Sequence, residues 1–489
     1  MNIQLNNFNL SQADSIILPI FQEANKNSVN IFPELLNHLI EKEKFKGKHG
    51  ELFTTFQISN GNTKDVILIG LGKEEDLTYE KIRICMAKAL KKSKELKSSK
   101  VFIDFINHET LCFSEILKAI IEGISFGDYK FDKYKSDKTP QLMLDICIGN
   151  ICEDKLEAAN KHLEEGRILA ETTLLTRDLV NEPANVIYPQ TLAETANSCG
   201  QQYGFSVDII DEKQIEELGM KSFLAVTQGS ENPPRLIVMK YLGNKANSSE
   251  ILGLVGKGLT YDSGGYSIKP TESMLTMKSD MGGAASVIGA ISAIAANKLK
   301  VNIVAVVAAC ENMISGGAYK PGDIIGSMGG KTIEIVNTDA EGRLTLIDAV
   351  HYIVDKEKVS KVVDIATLTG GALGALGTTT TAVITNNAEF YKALEKASEK
   401  SGEKFWMLPA FEEYKKLLKS DIADLKNSVG RYAGTICAGL FIGEFVQNKP
   451  WLHLDIAGTS WSDSEKDYFS KGGTGAGTRT LYYLAKDMQ

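Results

Sequence analysis

Short apolar segments of strand-like composition alternate with longer segments of helical periodicity, and this alternation constrains the fold more than any other feature of the chain. Strands that alternate with helices predict a mostly parallel sheet covered by helices on both faces. We therefore expect an α/β fold. The expected strands are 16–21, 52–58, 66–70, 101–106, 142–148, 236–240, 251–255, 301–309, 331–336, 362–365, 382–384 and 452–456. The expected helices are 32–44, 79–96, 113–121, 153–176, 284–296, 344–354, 389–399 and 433–445.

The length of the chain indicates more than one domain. A chain of 489 residues exceeds the size at which a single hydrophobic core keeps growing. We expect a smaller N-terminal α/β domain at 1–152 and a connecting helix within 153–182, with Pro183 as its natural stop. A larger C-terminal α/β domain with a mostly parallel central sheet would then occupy 183–489.

Composition and charge narrow the class of protein. The chain has 43% hydrophobic and 24% charged residues, which is typical of a globular protein. Its formal net charge of −8 does not favour nucleic acid or an anionic membrane as the main partner. The seven cysteines show no Cys-x-x-Cys spacing and predict reduced thiols. The N-terminus lacks a signal-peptide pattern and we expect no apolar stretch of 18 residues, so we predict a cytoplasmic protein that does not contact membranes.

Two carboxylates and a guanidinium occur at alternate positions in the segment 337–343. Residues i, i+2 and i+4 of an extended segment point to the same side, so an extended conformation would direct Asp339, Glu341 and Arg343 into one cavity. Burying neighbouring anions costs several kcal/mol unless cations accept them. A single Asp-x-Glu pair is more often a solvated strand or turn, so this segment needs support from elsewhere in the chain.

Two further charged, glycine-rich segments give that support. The first carries Lys257, Asp262 and Lys269, and the second carries Asp280 just before Gly282-Gly283. Each lies beside a strand-like run or opens a helix. Loops that leave the carboxyl ends of strands in an open α/β sheet converge on one crevice. We therefore expect the three segments to meet there.

Counting charge predicts the chemistry of that crevice. Two divalent cations would neutralise the four carboxylates, and two side chains would remain as surplus positive charge. Surplus positive charge suits acyl hydrolysis, because the tetrahedral intermediate carries an oxyanion. Paired metal ions can also hold a bridging water and lower its pKa. The carboxylates are Asp262, Asp280, Asp339 and Glu341, and the surplus cations are Lys269 and Arg343.

The segment 337–344, which reads Asn-Thr-Asp-Ala-Glu-Gly-Arg-Leu, resembles the most diagnostic stretch of the cytosolic leucyl aminopeptidases, a two-metal family. The charged residues of the other two segments fall at matching spacings. The resemblance runs through the C-terminal part, including 177–183, 229–234 and 366–370. The first 150 residues match only in length and class, and there the resemblance implies a macro-domain-like fold.

The resemblance also implies residue roles. Lys269 would polarise the scissile carbonyl, and Arg343 would anchor a bicarbonate ion. The metals would be zinc or manganese, with magnesium or cobalt also possible at the exchangeable site. The tightly bound ion would be held by Lys257, Asp262, Asp280 and Glu341, and the exchangeable ion by Asp262, Asp339 and Glu341. The substrate pocket would be lined by Met277, Thr367, Leu368 and Gly370.

Two of these roles have plain alternatives. Lys257 can bind a metal only as a neutral amine, and it could instead be an ion-pair partner of Asp262. The pocket residues could be ordinary core, because Met and Leu in apolar stretches usually serve packing. His453, between two leucines of a strand, is expected to be a hydrogen-bonded core residue.

The implied activity is the release of N-terminal amino acids, Leu among them, from peptides with a free N-terminus. The resemblance implies a homohexamer built as a dimer of trimers. Two other functions stay open. One is a dipeptidase activity on cysteinylglycine in thiol turnover. The other is a DNA-binding regulatory role, which would need a basic groove and would show a salt-dependent affinity for DNA.

Overall fold

The computed structural model describes residues 1–22, 31–59, 62–137 and 142–489. The chain forms two compact units. The first consists of 1–171 and 465–470, and the second of 172–464 and 471–489. All seven cysteines lie in the described ranges and are free thiols, as expected.

The first unit contains a six-stranded sheet. Its elements are β1 (Asn2–Leu5), β2 (Ser15–Phe21), α1 (Pro33–Glu41), β3 (Leu52–Ser59), β4 (Asn62–Gly72), α2 (Tyr79–Glu95), β5 (Lys100–Asp104), α3 (Phe113–Asp128) and β6 (Asp145–Gly149). The strand order is β1-β6-β5-β2-β4-β3. All neighbouring strands are parallel except β3 and β4. The buried faces of α2 and α3 pack with the sheet in one apolar cluster, so this unit has an α/β core of its own.

One long helix, α4 (Leu156–Asn181), continues the chain. A single 3₁₀ turn precedes it at Glu153–Lys155, and its last residue lies two positions before Pro183. The predicted helix is therefore present, but it starts and ends later than the sequence pattern indicates.

The second unit contains an eight-stranded sheet, a three-stranded sheet, a two-stranded sheet and all the remaining helices of the described chain. Its strands are β7 (Ser206–Ile210), β8 (Arg235–Leu242), β9 (Ile251–Asp262), β10 (Asn302–Asn312), β11 (Ile324–Ile325), β12 (Ile333–Glu334), β13 (Lys361–Ala366), β14 (Thr380–Thr385), β15 (Lys404–Met407), β16 (Leu425–Lys426), β17 (Trp451–Asp455), β18 (Trp461–Ser462) and β19 (Gly472–Gly473). Its helices are α5 (Pro189–Tyr203), α6 (Glu212–Glu217), α7 (Lys221–Thr227), α8 (Thr271–Met274), α9 (Gly282–Ala296), α10 (Gly342–Asp355), α11 (Gly370–Leu376), α12 (Ala388–Ser401), α13 (Glu412–Lys416), α14 (Gly434–Gly443) and α15 (Thr478–Lys486).

The order of the large sheet is β15-β14-β17-β13-β9-β10-β8-β7. Its centre is parallel, because β17, β13, β9 and β10 run in one direction. At one side β8 is antiparallel to both β10 and β7, and at the other side β14 is antiparallel to β17. Helices cover both faces of β9. A Cβ at Gly256 would touch the first turn of α9, and one at Gly253 would touch Ile353 of α10 on the other face. The expected α/β architecture is confirmed.

The segment Met277–Ala296 corrects one expectation from the sequence. It is 20 residues long with a mean hydropathy of 1.3, so by length and composition it could cross a membrane. However, 94% of its apolar window is buried inside the fold, where α9 packs beside β9 and β13. Such a segment is also typical of a core helix.

Several predicted bounds also differ. β9 continues to Asp262 rather than ending at residue 255, because glycine and lysine within it obscure the apolar pattern. The strand predicted at 331–336 shrinks to the two residues of β12. The short edge elements, such as β7, β15 and α11, give too few periodic residues to be found from the sequence.

Candidate metal centre and active site

The candidate site lies at the carboxyl ends of the central parallel strands. Asp262 is the last residue of β9, and Thr367 directly follows β13. Asp280 and Glu341 stand just before the first turns of α9 and α10. A helix N-terminus favours a nearby carboxylate. Strand ends and helix starts therefore bring the charged segments to one crevice.

A cavity of about 640 Å³ opens at this crevice. Every residue that the sequence suggests for metal binding, catalysis or substrate binding lines it. These residues are Lys257, Asp262, Lys269, Met277, Asp280, Asp339, Glu341, Arg343, Thr367, Leu368 and Gly370.

Lys257 lies at the bottom of the site with 3% of its surface exposed. Its Nζ lies 2.8 Å from Asp280 Oδ2 and 2.9 Å from Glu341 Oε1, and it donates to the Thr367 carbonyl oxygen at 3.0 Å. Burial lowers the pKa of Lys257, but the carboxylates around it outweigh burial and hold the pKa well above its usual value. The alternative in which Lys257 forms an ion pair with Asp262 is therefore wrong about the partner, because Lys257 pairs with Asp280 and Glu341. Asp262 pairs with another lysine.

That other lysine is Lys269. Its Nζ lies 2.9 Å from Asp262 Oδ2 and 2.5 Å from Asp339 Oδ1, and 16% of its side chain is exposed. Burial opposes the charge, yet the neighbouring carboxylates raise the pKa of Lys269 above its usual value. Lys269 is therefore an ammonium group at the wall of the cavity.

The four carboxylates bring more negative charge to the site than the two lysines neutralise. Burial, followed by the negative charge of Asp262, raises the pKa of Glu341, and burial is also the main cause of the raised pKa of Asp280 and Asp339. Glu341 Oε2 is buried and accepts no hydrogen bond from any described residue. One oxygen each from Asp262, Asp280 and Glu341 lie within 4.8 Å of one another. A cluster of carboxylate oxygens this close together suits a divalent cation.

The backbone of residues 337–343, called the signature segment below, is not extended, and this corrects the prediction that its alternate residues point to the same side. Residues 338–339 form a turn, Glu341 has φ −78° and ψ −36°, and α10 begins at Gly342. Arg343 therefore reaches the cavity from the first turn of a helix. Its Nη1 donates to the Asn427 carbonyl oxygen at 2.7 Å, and burial lowers its pKa.

A turn at Gly264-Gly265 carries the chain from Asp262 toward Lys269. Both glycines have positive φ, +85° and +62°, which disfavours any residue with a Cβ. Thr338 ties this turn to the signature segment, because its hydroxyl donates to the Gly264 carbonyl oxygen at 2.7 Å. The two loops that carry Lys269 and Asp339 are thereby fixed to each other.

Sequence reasoning missed the neutral residues that hold this arrangement. Asn427, fully buried, accepts from the Val336 backbone N–H at 2.8 Å and donates to the Asn337 carbonyl oxygen at 2.6 Å. Asn312, also fully buried, donates to Asp262 at 2.8 Å. Asn312 ends an apolar strand, and a polar residue at that point is the one feature of the sequence that could have indicated its role. No such feature marks Asn427.

The predicted pocket residues lie on the loop after β13, at the first residue of α11 and on the turn before Asp280. Thr367 donates its hydroxyl to Asp280 Oδ1 at 2.8 Å. Asp455, at the end of β17, accepts from the backbone N–H of Leu368 at 3.1 Å. Met277 and Leu368 are partly exposed and Gly370 is exposed at the cavity, and Leu368 also packs against the apolar core.

His453 is a core residue, as expected. It is fully buried, and its Nδ1 lies 2.6 Å from Asp364 Oδ1, while the Trp451 indole N–H donates to the other oxygen at 2.6 Å. The carboxylate of Asp364 outweighs the effect of burial and raises the pKa of His453.

Comparison with known proteins gives two family matches. Residues 174–482 match the catalytic domain of the cytosol aminopeptidase family, and residues 17–138 match the N-terminal domain of the same family. The charged residues of the cavity all lie within the first match.

Individual relatives agree with this over nearly the whole chain. A probable cytosol aminopeptidase of Clostridium perfringens is 58% identical over 97% of both chains. One of Treponema denticola is 48% identical over 92% of this chain and 94% of that protein. Among solved structures, the Bottromycin maturation enzyme BotP, also solved in complex with Mn, has a TM-score of 0.86 and 31% identity, covering 97% of this chain and 99% of that chain. The chain therefore belongs to the cytosol aminopeptidase family, whose members are peptidases that remove residues from the N-termini of their substrates.

Proposed function

We propose that this chain is a metal-dependent aminopeptidase of the cytoplasm that uses two divalent ions to release N-terminal residues, Leu among them, from peptides. One observation carries the proposal. The four carboxylates predicted as metal ligands line a single cavity together with two lysines and one arginine, and these carboxylates bring more negative charge than the two lysines neutralise. The solved BotP complex with Mn, from a relative of this chain, supports manganese as one suitable ion.

The ions would be held by this chain's own oxygen and nitrogen donors. When bound, they would lower the pKa of a water molecule and polarise the scissile carbonyl. Lys257 can join them only as a neutral amine, so binding must release its proton. The ligands would be Lys257, Asp262, Asp280 and Glu341 for the tight ion, and Asp262, Asp339 and Glu341 for the exchangeable ion.

Lys269 has the properties of an oxyanion stabiliser. Its ammonium group is held by two carboxylates, it stays protonated, and it lines the cavity. A cation fixed before the reaction stabilises negative charge that develops on the carbonyl oxygen without reorganising. We assign this role to Lys269.

Arg343 is a second fixed cation at the cavity. It is 7% exposed, and its Nε has no hydrogen-bond partner among the described residues. A buried guanidinium with an unused donor is suited to hold a small anion. The family resemblance names bicarbonate as that anion, which would supply a base near the water.

The requirement for a free N-terminus tests the proposal. An acetylated amine has lost its basic lone pair and would leave a buried polar partner unsatisfied, and discrimination of that kind can reach about 10⁴-fold. We expect Leu-p-nitroanilide to be cleaved and acetyl-Leu-p-nitroanilide not. Dialysis against a chelator should abolish cleavage, and Mn²⁺ or Zn²⁺ should restore it.

Two results would contradict the proposal. Cleavage of the acetylated substrate at a comparable kcat/KM would point to an endopeptidase or amidase. Full activity after exhaustive removal of metal would exclude metal dependence. Cysteinylglycine, tested in competition with Leu-p-nitroanilide, would reveal whether the thiol dipeptide is the better substrate.

A further inference from the structure

Asn312 lies behind the metal-ligand candidates rather than among them. It is the last residue of β10, fully buried, and directly opposite Asp262 in the parallel register with β9. Its Nδ2 donates to Asp262 Oδ1 at 2.8 Å and to the Thr338 carbonyl oxygen at 3.0 Å. One carboxamide thus joins a ligand at the end of β9 to the backbone directly before Asp339.

The orientation of this amide is fixed by its partners. Both neighbours of Nδ2 are acceptors, so only a nitrogen with two hydrogens satisfies them together. The Asn312 Oδ1 atom points toward Gly265, where an added Cβ would lie 3.0 Å away. That oxygen accepts no hydrogen bond from any residue in the described ranges.

The two donor contacts of Asn312 explain why this buried position is polar. An apolar residue of similar size would remove one hydrogen bond from Asp262 and one from the Thr338 carbonyl oxygen. Leaving a buried polar group unpaired costs about 1–3 kcal/mol. Asn312 therefore serves the polar groups of the site, and its contact with Asp262 indicates how.

Asn312 and the Gly264 backbone N–H together fix which oxygen of Asp262 faces the cavity. Asp262 Oδ1 accepts two hydrogen bonds, one from Asn312 and one from the Gly264 backbone N–H at 2.8 Å. Oδ2 is left on the cavity side, where it lies 2.9 Å from Lys269 Nζ. Hydrogen bonds that orient a ligand in this way tune metal affinity by roughly 10–100-fold.

We propose that Asn312 is a positioning residue for the metal centre, which orients Asp262 through its Oδ1 and braces the segment before Asp339 through Thr338. The inference rests on the proposed function, because it assumes that Asp262 and Asp339 bind metal. Aspartate at position 312 would have the same shape but would place acceptors against Asp262 Oδ1 and the Thr338 carbonyl oxygen. Asn312→Asp should therefore turn the brace into a repulsive contact.

Asn302 offers a matched control at the other end of the same strand. It is 2% exposed, and its Nδ2 also donates to backbone carbonyls, those of Asn244 at 3.0 Å and Asn247 at 2.8 Å. Ten steps of about 3.3 Å along the strand place it about 33 Å from Asn312. Asn302→Asp therefore makes the same chemical change in β10 without reaching the site.

The experiment measures Mn²⁺ binding to the full chain by calorimetry after removal of metal, with Tm recorded for each variant. We expect Asn312→Asp and Asn312→Ala to weaken binding at one or both sites by 10–100-fold. Asn302→Asp should bind within threefold of wild type even if its Tm falls equally. Asn312→Ala, which adds no charge, serves if the aspartate variant does not fold.

Two results would overturn the inference alone. Binding within threefold of wild type in both Asn312 variants would show that Asp262 needs no brace. Equal weakening in Asn302→Asp would show that the loss comes from general destabilisation of β10. Failure of the wild-type chain itself to bind Mn²⁺ or Zn²⁺ would instead overturn the proposed function.

Discussion

Gly342, the first residue of α10, leaves room that the Lys257 side chain fills. A Cβ at this position would lie 2.6 Å from Lys257 Nζ, 2.9 Å from its Cδ, and closer still to its Cε. Ordinary contacts between such atoms are about 3.5–4.0 Å, so the amine must move by about 1 Å. It cannot do so freely, because Asp280, Glu341 and Thr367 hold it from several sides.

We expect Gly342→Ala to lower kcat/KM by about 100-fold or more, because a misplacement of about 1 Å at a reacting centre can cost 10²-fold. Overpacking should reduce the free energy of unfolding by no more than about 1–3 kcal/mol. The better helix propensity of alanine offsets this by roughly 0.5–1 kcal/mol. The activity should therefore fall far more than the stability.

Gly374→Ala is the matched control. Gly374 lies in α11 and is exposed, and a Cβ added there would meet no heavy atom of another described segment within 4 Å. We expect its kcat/KM to stay within twofold of wild type. The assay is Leu-p-nitroanilide cleavage at saturating Mn²⁺, with Tm measured alongside. If Gly342→Ala keeps wild-type kcat/KM, the position of Lys257 does not matter and its assignment as a ligand is wrong.

Four further predictions concern the charged residues of the site, its metal ions and, from the family resemblance, the assembly of the chain. Lys269→Ala should lower kcat by roughly 10²–10³-fold with little change in KM, and a change confined to KM would reassign Lys269 to substrate binding. Glu341→Gln should keep less than about a tenth of the activity. The metal-free form of this variant should melt above the metal-free wild type at pH 8, because ionising a group whose pKa is raised on folding destabilises the fold. The difference in Tm should shrink as the pH falls, because the wild-type carboxyl then takes up its proton. Calorimetric scans at several pH values would test this. Metal affinity should rise with pH and binding should release protons, as titrations in buffers of different ionisation enthalpy would show. Light scattering should give a hexamer, and a monomer at micromolar concentration would contradict that expectation.

The architecture could be predicted because strands and helices of the core are long and strongly patterned. The segments that became β2, β8, β10 and α10 repeat apolar residues at a clear period. Short elements at the edges, such as β7 and β15, carry too little pattern to be distinguished from loops. The strand β9 was predicted too short because the glycines and the lysine within it interrupt the apolar pattern.

The charged residues of the site could be predicted because burying four carboxylates together has few explanations other than cations. The local conformation could not. Glu341 and Arg343 were expected on one face of an extended segment, yet helix α10 begins between them. Asn312 and Asn427 act through hydrogen bonds between distant segments, and a single sequence carries no sign of those partners.

The central claim, a catalytic centre with two metal ions, is tested most directly by counting the metal that activity needs. Metal-free protein would be titrated with Mn²⁺, with bound metal measured by mass spectrometry and Leu-p-nitroanilide cleavage measured on the same samples. We predict that activity is absent without metal and saturates at two ions per chain, and that Glu341→Gln gains little activity at any ratio. Full activity without metal, or saturation at one ion per chain, would contradict the two-metal account.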